Sequence, residues 1–179
     1  MSKINMKRYN FKEQKILKGK SFKFGDSIST DLIAPGRYFH LRSNMPELAK
    51  HVLEDADPEF AKKIEPGDFV VGGENFGLGS SREHAPTIIK IAGVGAVLAK
   101  SFARIFFRNC INVGLPALVC DTDRIGDGDL LEVNLGNGKV INITRNLEIN
   151  FNPLPEVMIK ILSDGGLAEH IKKNRGFNL

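Results

Sequence analysis

Cysteine is scarce in this sequence, and its scarcity excludes a self-contained metal cluster. Cys110 and Cys120 are the only cysteines among 179 residues, and no C-x-x-C pair is present. An iron–sulfur cluster needs about three or four thiolates, so this chain cannot hold one alone. Because both cysteines lie in apolar stretches, we expect them to be buried small hydrophobic residues.

Long apolar runs and basic stripes are also lacking. No stretch approaches the roughly 18 apolar residues of a membrane span. Residues 1–20 are polar and lysine-rich, without the apolar core of a signal peptide. We therefore expect a cytoplasmic protein with no membrane partner. The net charge of +4 is dispersed, and no basic stripe alternates with aromatic residues, which argues against nucleic acid as a partner.

The order of apolar segments predicts one α/β domain with a central parallel or mixed sheet and flanking helices. The length suits one domain, which we expect at residues 13–175, between a flexible tail at 1–12 and a second tail at 176–179. Short apolar strands alternate with helices, which predicts parallel pairing with right-handed crossovers. The strands are expected at 68–71, 95–99 and 117–119, and the helices at 82–92 and 102–113, with Ile88, Ile89 and Ile91 buried.

The flanking segments are predicted from turn and capping residues. A half-buried strand is expected at residues 15–24 and a loop at 25–36. A helix follows at 46–54, capped by Ser43 or Asn44, and another lies at 155–162 before two glycines. Residues 130–135 and 139–143 flank a Gly-Asn-Gly turn, which predicts a C-terminal β-hairpin.

The glycine-rich segment 72–81 lies between a predicted strand and helix, where backbone N–H groups form an anion site. Neither nucleotide motif fits it. Arg82 stands where the dinucleotide motif G-x-G-x-x-G needs its third glycine, and no acidic residue follows at about 20 residues. The G-K-S or G-K-T of a P-loop is also absent. The sequence therefore argues against a nucleotide-binding α/β protein.

Ser80, Ser81, Arg82, Glu83 and His84 follow this loop and admit two interpretations. An arginine offers a planar fork for a carboxylate, and a serine beside positive charge can act as a base. Alternatively, a serine simply caps the helix, Glu83 matches the helix dipole, and His84 is a structural histidine. The residues alone leave both interpretations open.

Residues 73–86 (GENFGLGSSREHAP) resemble the motif of the swivelling domain of the aconitase superfamily. The closest resemblance is to the separate small subunits of 3-isopropylmalate dehydratase and the related homoaconitases. Four further segments resemble the family in the same order along the chain. They are residues 26–33 (D-x-x-x-T-D-x-I), residues 35–38, which come directly after that loop, residues 100–106 (K-S-F-A-R-I-F) and residues 109–116 (N-x-x-N-x-G-L-P). The resemblance covers roughly residues 15–172 and implies a β/β/α swivelling domain.

The resemblance implies a hydro-lyase that dehydrates a hydroxy acid and rehydrates the alkene. Ser80 is then the base, and Ser81 and Arg82 bind a substrate carboxylate. Asp31 and Arg104 are expected to orient partners, with a structural ion pair as the alternative for Arg104. Glu83 and His84 would support the site.

The same resemblance implies a division of labour between two subunits. The [4Fe-4S] cluster belongs to a large subunit, in a heterodimer or heterotetramer, and this chain contributes no metal ligand. The small subunit is then active only with that partner.

The implied substrate is isopropylmalate, in leucine and thus branched-chain amino acid biosynthesis. Residues 39–43 fall where the specificity loop of the family lies, but with extra residues and Arg42. Arg42 either faces solvent or binds a distal carboxylate. Homocitrate or homoaconitate, citramalate and dimethylmalate are therefore alternative substrates, and an anion-binding regulatory domain is the alternative without catalysis.

Overall fold

The computed structural model describes residues 16–176, whose strands form one mixed sheet with the order β4-β3-β2-β1-β5-β6-β7. Strands β1 to β4 pair in parallel, whereas β1, β5, β6 and β7 pair antiparallel. The strands are β1 (Ile16–Lys23), β2 (Phe69–Val71), β3 (Ala96–Ala99), β4 (Ala117–Val119), β5 (Leu130–Asn134), β6 (Lys139–Asn142) and β7 (Leu147–Asn150). The predicted mixed sheet and C-terminal hairpin are confirmed.

Helices cover the ends and one face of this sheet. They are α1 (Thr30–Ile33), α2 (Met45–Leu48), α3 (Phe60–Lys63), α4 (His84–Ile91), α5 (Arg104–Val113), α6 (Glu156–Ser163) and α7 (Leu167–Asn174). Short 3-10 helices lie at Gly36–Leu41, Ala49–His51 and Thr122–Arg124. Within residues 16–176 no helix is long and apolar enough to cross a membrane. The tails predicted at 1–12 and 176–179 lie outside the described residues, apart from Gly176.

Successive side chains of the parallel strands point to opposite faces of the sheet, so the core is divided between those two faces. Val70 and Val97 face a cluster that includes buried residues of α4 and α5. Phe69, Val71 and Leu98 face a second cluster that includes side chains of β5, β6 and β7. The antiparallel strands therefore cover the second face of the parallel strands, and both faces are removed from water.

Two helices begin two residues later than predicted. The helix predicted from Arg82 begins at His84, and the one predicted from Phe102 begins at Arg104. Phe102 forms a β-bridge with Phe76, which prevents a helical conformation. Ile91 was predicted to be buried but is 37% exposed, since it lies on the outer side of the last turn of α4.

Other differences arise where tertiary contacts override local pattern. The loop predicted at 25–36 contains α1, which Ser29 caps by accepting a hydrogen bond from the N–H of Leu32. The helix predicted at 46–54 is only α2 followed by a 3-10 turn, because Leu53 adopts a left-handed φ of 56°. Asn44 caps α2 as predicted. The sequence analysis missed α3, β7 and α7.

Candidate active site

The glycine-rich loop after β2 is held by backbone bonds from two other loops. The N–H of Gly77 donates to the carbonyl of Ile28 at 2.7 Å, and the N–H of Thr30 donates to the carbonyl of Leu78 at 2.8 Å. On the other side, the N–H of Ala103 donates to the carbonyl of Phe76 at 2.9 Å. Because β1, β2 and β3 are parallel, their carboxyl ends bring these three loops together at one edge of the sheet.

Glycine is required in this loop both for its backbone angles and for its size. Gly77 has a φ of 81°, and a Cβ there would overlap the ring of Phe106. Gly79 has a φ of 113°, and a Cβ there would press on Oγ1 of Thr30. Both angles lie in the region that other residues avoid, so the loop can pack this closely only with glycine.

Ser80 and Ser81 follow the loop in non-helical conformation, and neither caps α4. The capping position belongs to Glu83, whose side chain makes no capping bond. The backbone N–H of Ser80 donates to Oγ1 of Thr30 at 2.9 Å, and the carbonyl of Ser81 accepts from Nδ2 of Asn109 at 2.9 Å. The capping interpretation is therefore wrong. Within residues 16–176 both serine hydroxyls are without a hydrogen-bond partner and remain available to a ligand.

A cavity beside Ser80 gathers residues from three of the segments that carried the resemblance. Ser80, Arg82 and His84 line it from the glycine loop and the start of α4. Thr30 and Asp31 line it from α1. The remaining lining residues are Ala34, Pro35, Phe39, Leu48 and Ala85, which make the far wall largely apolar. The cavity thus combines a hydroxyl, a guanidinium and an apolar wall.

Phe39 brings two arginines to the mouth of this cavity. The guanidinium carbon of Arg82 lies 4.8 Å from the centre of the Phe39 ring, and that of Arg42 lies 4.6 Å from it. Arg82 is exposed and makes no ion pair within the described part of the chain, so its charge is available to an anion. Arg42 is also exposed but does not line the cavity.

Of the other predicted site residues, some lie at this cavity and some do not. Asp31 is exposed at the cavity. His84 contacts the Phe39 ring edge-on, and its Nδ1 is buried without a hydrogen-bond partner. Glu83 lines a different cavity, beside Asn112. Arg104 lines separate surface pockets on α5 and makes no ion pair within residues 16–176, so the alternative of a structural ion pair has no support there.

Three residues at the site were not singled out from the sequence: Thr30, Phe39 and Asn109. Thr30 and Asn109 lie inside motifs that were recognised, so the signal for them was present. Phe39 lies in the predicted specificity segment, but nothing in the sequence indicates that its ring contacts both arginines.

The two thiols do not provide a metal centre. Cys110 packs in the core cluster under the helices, and Cys120 packs in the cluster on the other face of the sheet. Burial raises the pKa of Cys110 well above its ordinary value and that of Cys120 to about 12, so both stay protonated at neutral pH. Residues 16–176 contain no group of three or more His, Cys, Asp or Glu side chains placed to share a metal ion.

Comparison with known proteins places this geometry in a family. Residues 28–122 match the aconitase C-terminal domain. The chain is 68% identical over 156 residues to 3-isopropylmalate dehydratase small subunit 2 of Archaeoglobus fulgidus, covering 87% of this chain and 94% of that protein. It is 57% identical over 163 residues to small subunit 1 of Thermotoga maritima, covering 90% and 98% respectively.

A solved structure agrees with the sequence comparison. The crystal structure of 3-isopropylmalate dehydratase from Methanocaldococcus jannaschii superimposes with a TM-score of 0.85 at 45% identity, covering 89% of this chain and 95% of that one. The predicted aconitase-type fold is thereby confirmed. The chain belongs to the aconitase C-terminal domain family and, within it, to the small subunits of 3-isopropylmalate dehydratase.

Proposed function

We propose that this chain is the catalytic small subunit of a cytoplasmic hydro-lyase that interconverts 2-isopropylmalate and 3-isopropylmalate in leucine biosynthesis. The reaction removes water and adds it back at the neighbouring carbon. The observation that supports the proposal is the cavity where the unbonded hydroxyl of Ser80 lies beside the unpaired guanidinium of Arg82. We propose that residues 13–175 act as one domain on a large partner subunit.

Ser80 is the proposed base, and its surroundings suit that role. Removing a proton from carbon next to a carboxylate requires positive charge where the new negative charge develops. Arg82 supplies that charge at the cavity, and the hydroxyl of Ser81 offers a further hydrogen bond to the same carboxylate. As its alkoxide, which the neighbouring positive charge stabilises, Ser80 Oγ takes the proton from carbon on dehydration and becomes a hydroxyl. On rehydration that hydroxyl returns the proton to the carbon that lost the substrate hydroxyl. Fixing the Ser80 backbone through Thr30 holds that oxygen in place.

The metal chemistry is assigned to the partner. When bound in the large subunit, a [4Fe-4S] cluster acts as a Lewis acid toward the substrate hydroxyl. The residues described in this chain do not fit such a cluster, because the two thiols are buried on opposite faces of the sheet. The task of this chain is therefore to bind the carboxylate and to move the proton.

Supporting roles follow from position. Asp31 also lines the cavity and carries the charge opposite to that of Arg82. We propose that it orients Arg82 or the substrate. His84 supports the apolar wall through Phe39. Glu83 and Arg104 line other surfaces, so we propose that they orient groups of the large subunit.

Substrate choice depends on the segment that carries Phe39 and Arg42. Phe39 is 41% exposed and lines the cavity, so its ring offers apolar surface for an isopropyl group. Arg42 stacks on the same ring, and its guanidinium is the proposed partner for the distal carboxylate of a larger tricarboxylic acid. The apolar wall favours isopropylmalate, and Arg42 keeps homoaconitate as the second candidate.

Reconstitution with the large subunit tests the proposal. The lone chain should show no turnover and contain no iron, whereas the complex should generate the ultraviolet absorbance of an unsaturated acid. A panel of isopropylmalate, homocitrate (the hydroxy acid that gives homoaconitate), citramalate and dimethylmalate then identifies the substrate. Failure of the complex to dehydrate any of these acids would support the anion-binding regulatory alternative.

The variant Arg42→Ala sharpens the substrate test, with Arg124→Ala as a matched control. Arg124 is exposed far from the cavity and donates to the carbonyl of Glu148. If Arg42 binds a third carboxylate, its loss lowers kcat/KM for homocitrate about tenfold or more and leaves isopropylmalate nearly unchanged, because a charge-assisted bond contributes about 1.5–3 kcal/mol. Equal effects on both acids would contradict a specificity role.

A further inference from the structure

The 3-10 helix Gly36–Leu41, which carries Phe39, rests on the core through two partly buried side chains, Tyr38 and Leu41. None of its six residues is buried, and a 3-10 helix of this length has poor hydrogen-bond geometry. Its position over the cavity therefore depends on side-chain contacts with neighbouring chain.

One carboxylate provides most of those contacts. Glu54 Oε1 accepts hydrogen bonds from Nη2 of Arg37 at 2.8 Å and from the hydroxyl of Tyr38 at 2.9 Å. Its Oε2 lies 2.6 Å from Nδ1 of His51. The Tyr38 ring stacks on the His51 ring at 3.6 Å between centroids, and Arg37 also pairs with Asp55. Both residues that immediately precede Phe39 are thus bound to Glu54.

Glu54 is attached to a rigid part of the molecule. The two residues before it, Val52 and Leu53, are fully buried, and the N–H of Leu53 donates to the carbonyl of Ile33 at 2.9 Å. The hydrogen bonds from His51 and Arg37 lower the pKa of Glu54 to about 2, so the carboxylate is ionised at neutral pH and its bonds are charge-assisted.

The anchored helix reaches the active site through one ring. Phe39 contacts the guanidinium of Arg82 at 4.8 Å and the edge of His84 at 6.4 Å between centroids. A cation over an aromatic ring is held electrostatically as well as by contact. Contacts therefore run without a gap from Glu54 through Arg37 and Tyr38 to Phe39, and from there to Arg82.

We propose that Glu54 is a positioning residue, which fixes the helix Gly36–Leu41 and thereby holds Phe39 against Arg82. For the role of Arg82 this inference rests on the proposed function. Glu54 itself does not line the cavity, so its effect on substrate passes through Phe39.

Hydrogen exchange on the full chain tests the anchor without any need for activity. Glu54→Ala should speed exchange of the amides of residues 36–42 about tenfold or more relative to wild type, since local opening then requires fewer broken bonds. Glu59→Ala is the matched control, because Glu59 is an exposed glutamate whose ion pair joins only Lys62, and its exchange at 36–42 should be unchanged. Unchanged exchange in Glu54→Ala would overturn the anchor.

Kinetics of the reconstituted complex test the consequence for substrate. Glu54→Ala should lower kcat/KM for the preferred acid about tenfold, because Arg82 both binds the carboxylate and stabilises the charge that develops on it. In a Phe39→Ala background the same substitution should add little, because the two residues act in series. Additive effects, or an unchanged kcat/KM in Glu54→Ala, would overturn the inference.

Two further variants separate the possible failures. Glu54→Gln keeps an acceptor for Tyr38 and should recover part of the kinetic loss caused by Glu54→Ala. Arg37→Ala removes one donor to Glu54 and should reproduce part of that loss. If the wild-type complex dehydrates none of the acids, the proposed function fails, while the exchange experiment still decides whether Glu54 anchors the helix.

Discussion

The two halves of the sheet use polar groups in opposite ways. At the carboxyl ends of β1, β2 and β3, the hydroxyls of Ser80 and Ser81 and the guanidinium of Arg82 are left without partners in the described chain. At the start of β5, in contrast, Asp129 is buried and accepts bonds from Nδ2 of Asn142 at 2.7 Å, from Nε of Arg145 at 2.7 Å and from a backbone N–H.

The pKa of Asp129 reflects the hydrogen bonds that its carboxylate accepts. Burial opposes ionisation, but the bonds from Asn142, the Gly126 N–H and Arg145 hold the pKa below its ordinary value. A buried polar group that is fully bonded stabilises the fold, whereas unbonded groups at a cavity are available to a ligand. We therefore propose that the parallel half carries the chemistry and that the antiparallel half contributes stability.

The largest expected effect is on turnover, from Ser80→Ala in the parallel half. If Ser80 is the base, its loss should lower kcat of the reconstituted complex by about 10²- to 10⁴-fold, with little change in stability because the hydroxyl makes no bond within residues 16–176. Ser163→Ala, at the end of α6, is the control and should stay within about twofold of wild type. Full turnover by Ser80→Ala in the assay would show that the base is another group.

A pair of glycine substitutions compares the packing of the two halves directly. Gly77→Ala should destabilise the chain by about 3 kcal/mol or more, because backbone strain is joined by overlap with Phe106. Gly128→Ala, at a φ of 74° with open space around it, should cost about 1 kcal/mol from strain alone. Denaturant unfolding of both variants measures the difference, and equal losses would contradict tight packing of the glycine loop.

Asp129→Ala should reduce stability in the antiparallel half without affecting catalysis. It removes one of the two acceptors of Asn142 Nδ2 and leaves the Arg124 carbonyl as the other, and we expect a loss of about 2 kcal/mol. Asp127→Ala, an exposed neighbour that accepts one bond from the Lys23 N–H, should cost less than about 1 kcal/mol. A large fall in kcat of the intact Asp129→Ala complex would refute the division between the halves.

The smallest expected effect is a pH dependence of stability that arises on the parallel half. Because the pKa of Glu54 is lowered to about 2 from an ordinary 4.5, its ionised form stabilises the fold fully above pH 4.5. That contribution is lost as pH falls from 4.5 toward 2. Unfolding of wild type and Glu54→Gln should therefore differ most at neutral pH and converge in acid. A constant difference across that range would contradict the assignment.

The local sequence pattern was sufficient to predict those segments whose burial follows directly from the sequence. The three parallel strands, the hairpin around Gly136–Gly138 and the buried cysteines were all predicted, because apolar runs and turn glycines act within a few residues. The helix starts were predicted too early, since Phe102 is paired with Phe76, a partner 26 residues away. Strand β7 was missed because it is only four residues long, two of them polar, and its pairing to β6 is what makes it a strand.

By itself, the sequence determined the fold class, the glycine loop and the family resemblance, since these depend on residue type and spacing along the chain. Only the tertiary structure decided that Ser80 is fixed by Thr30, 50 residues away, that its hydroxyl caps no helix, and that Phe39 joins Arg42 to Arg82. Those contacts depend on how parallel strands bring distant loops to one edge of the sheet, and local periodicity carries no information about that geometry.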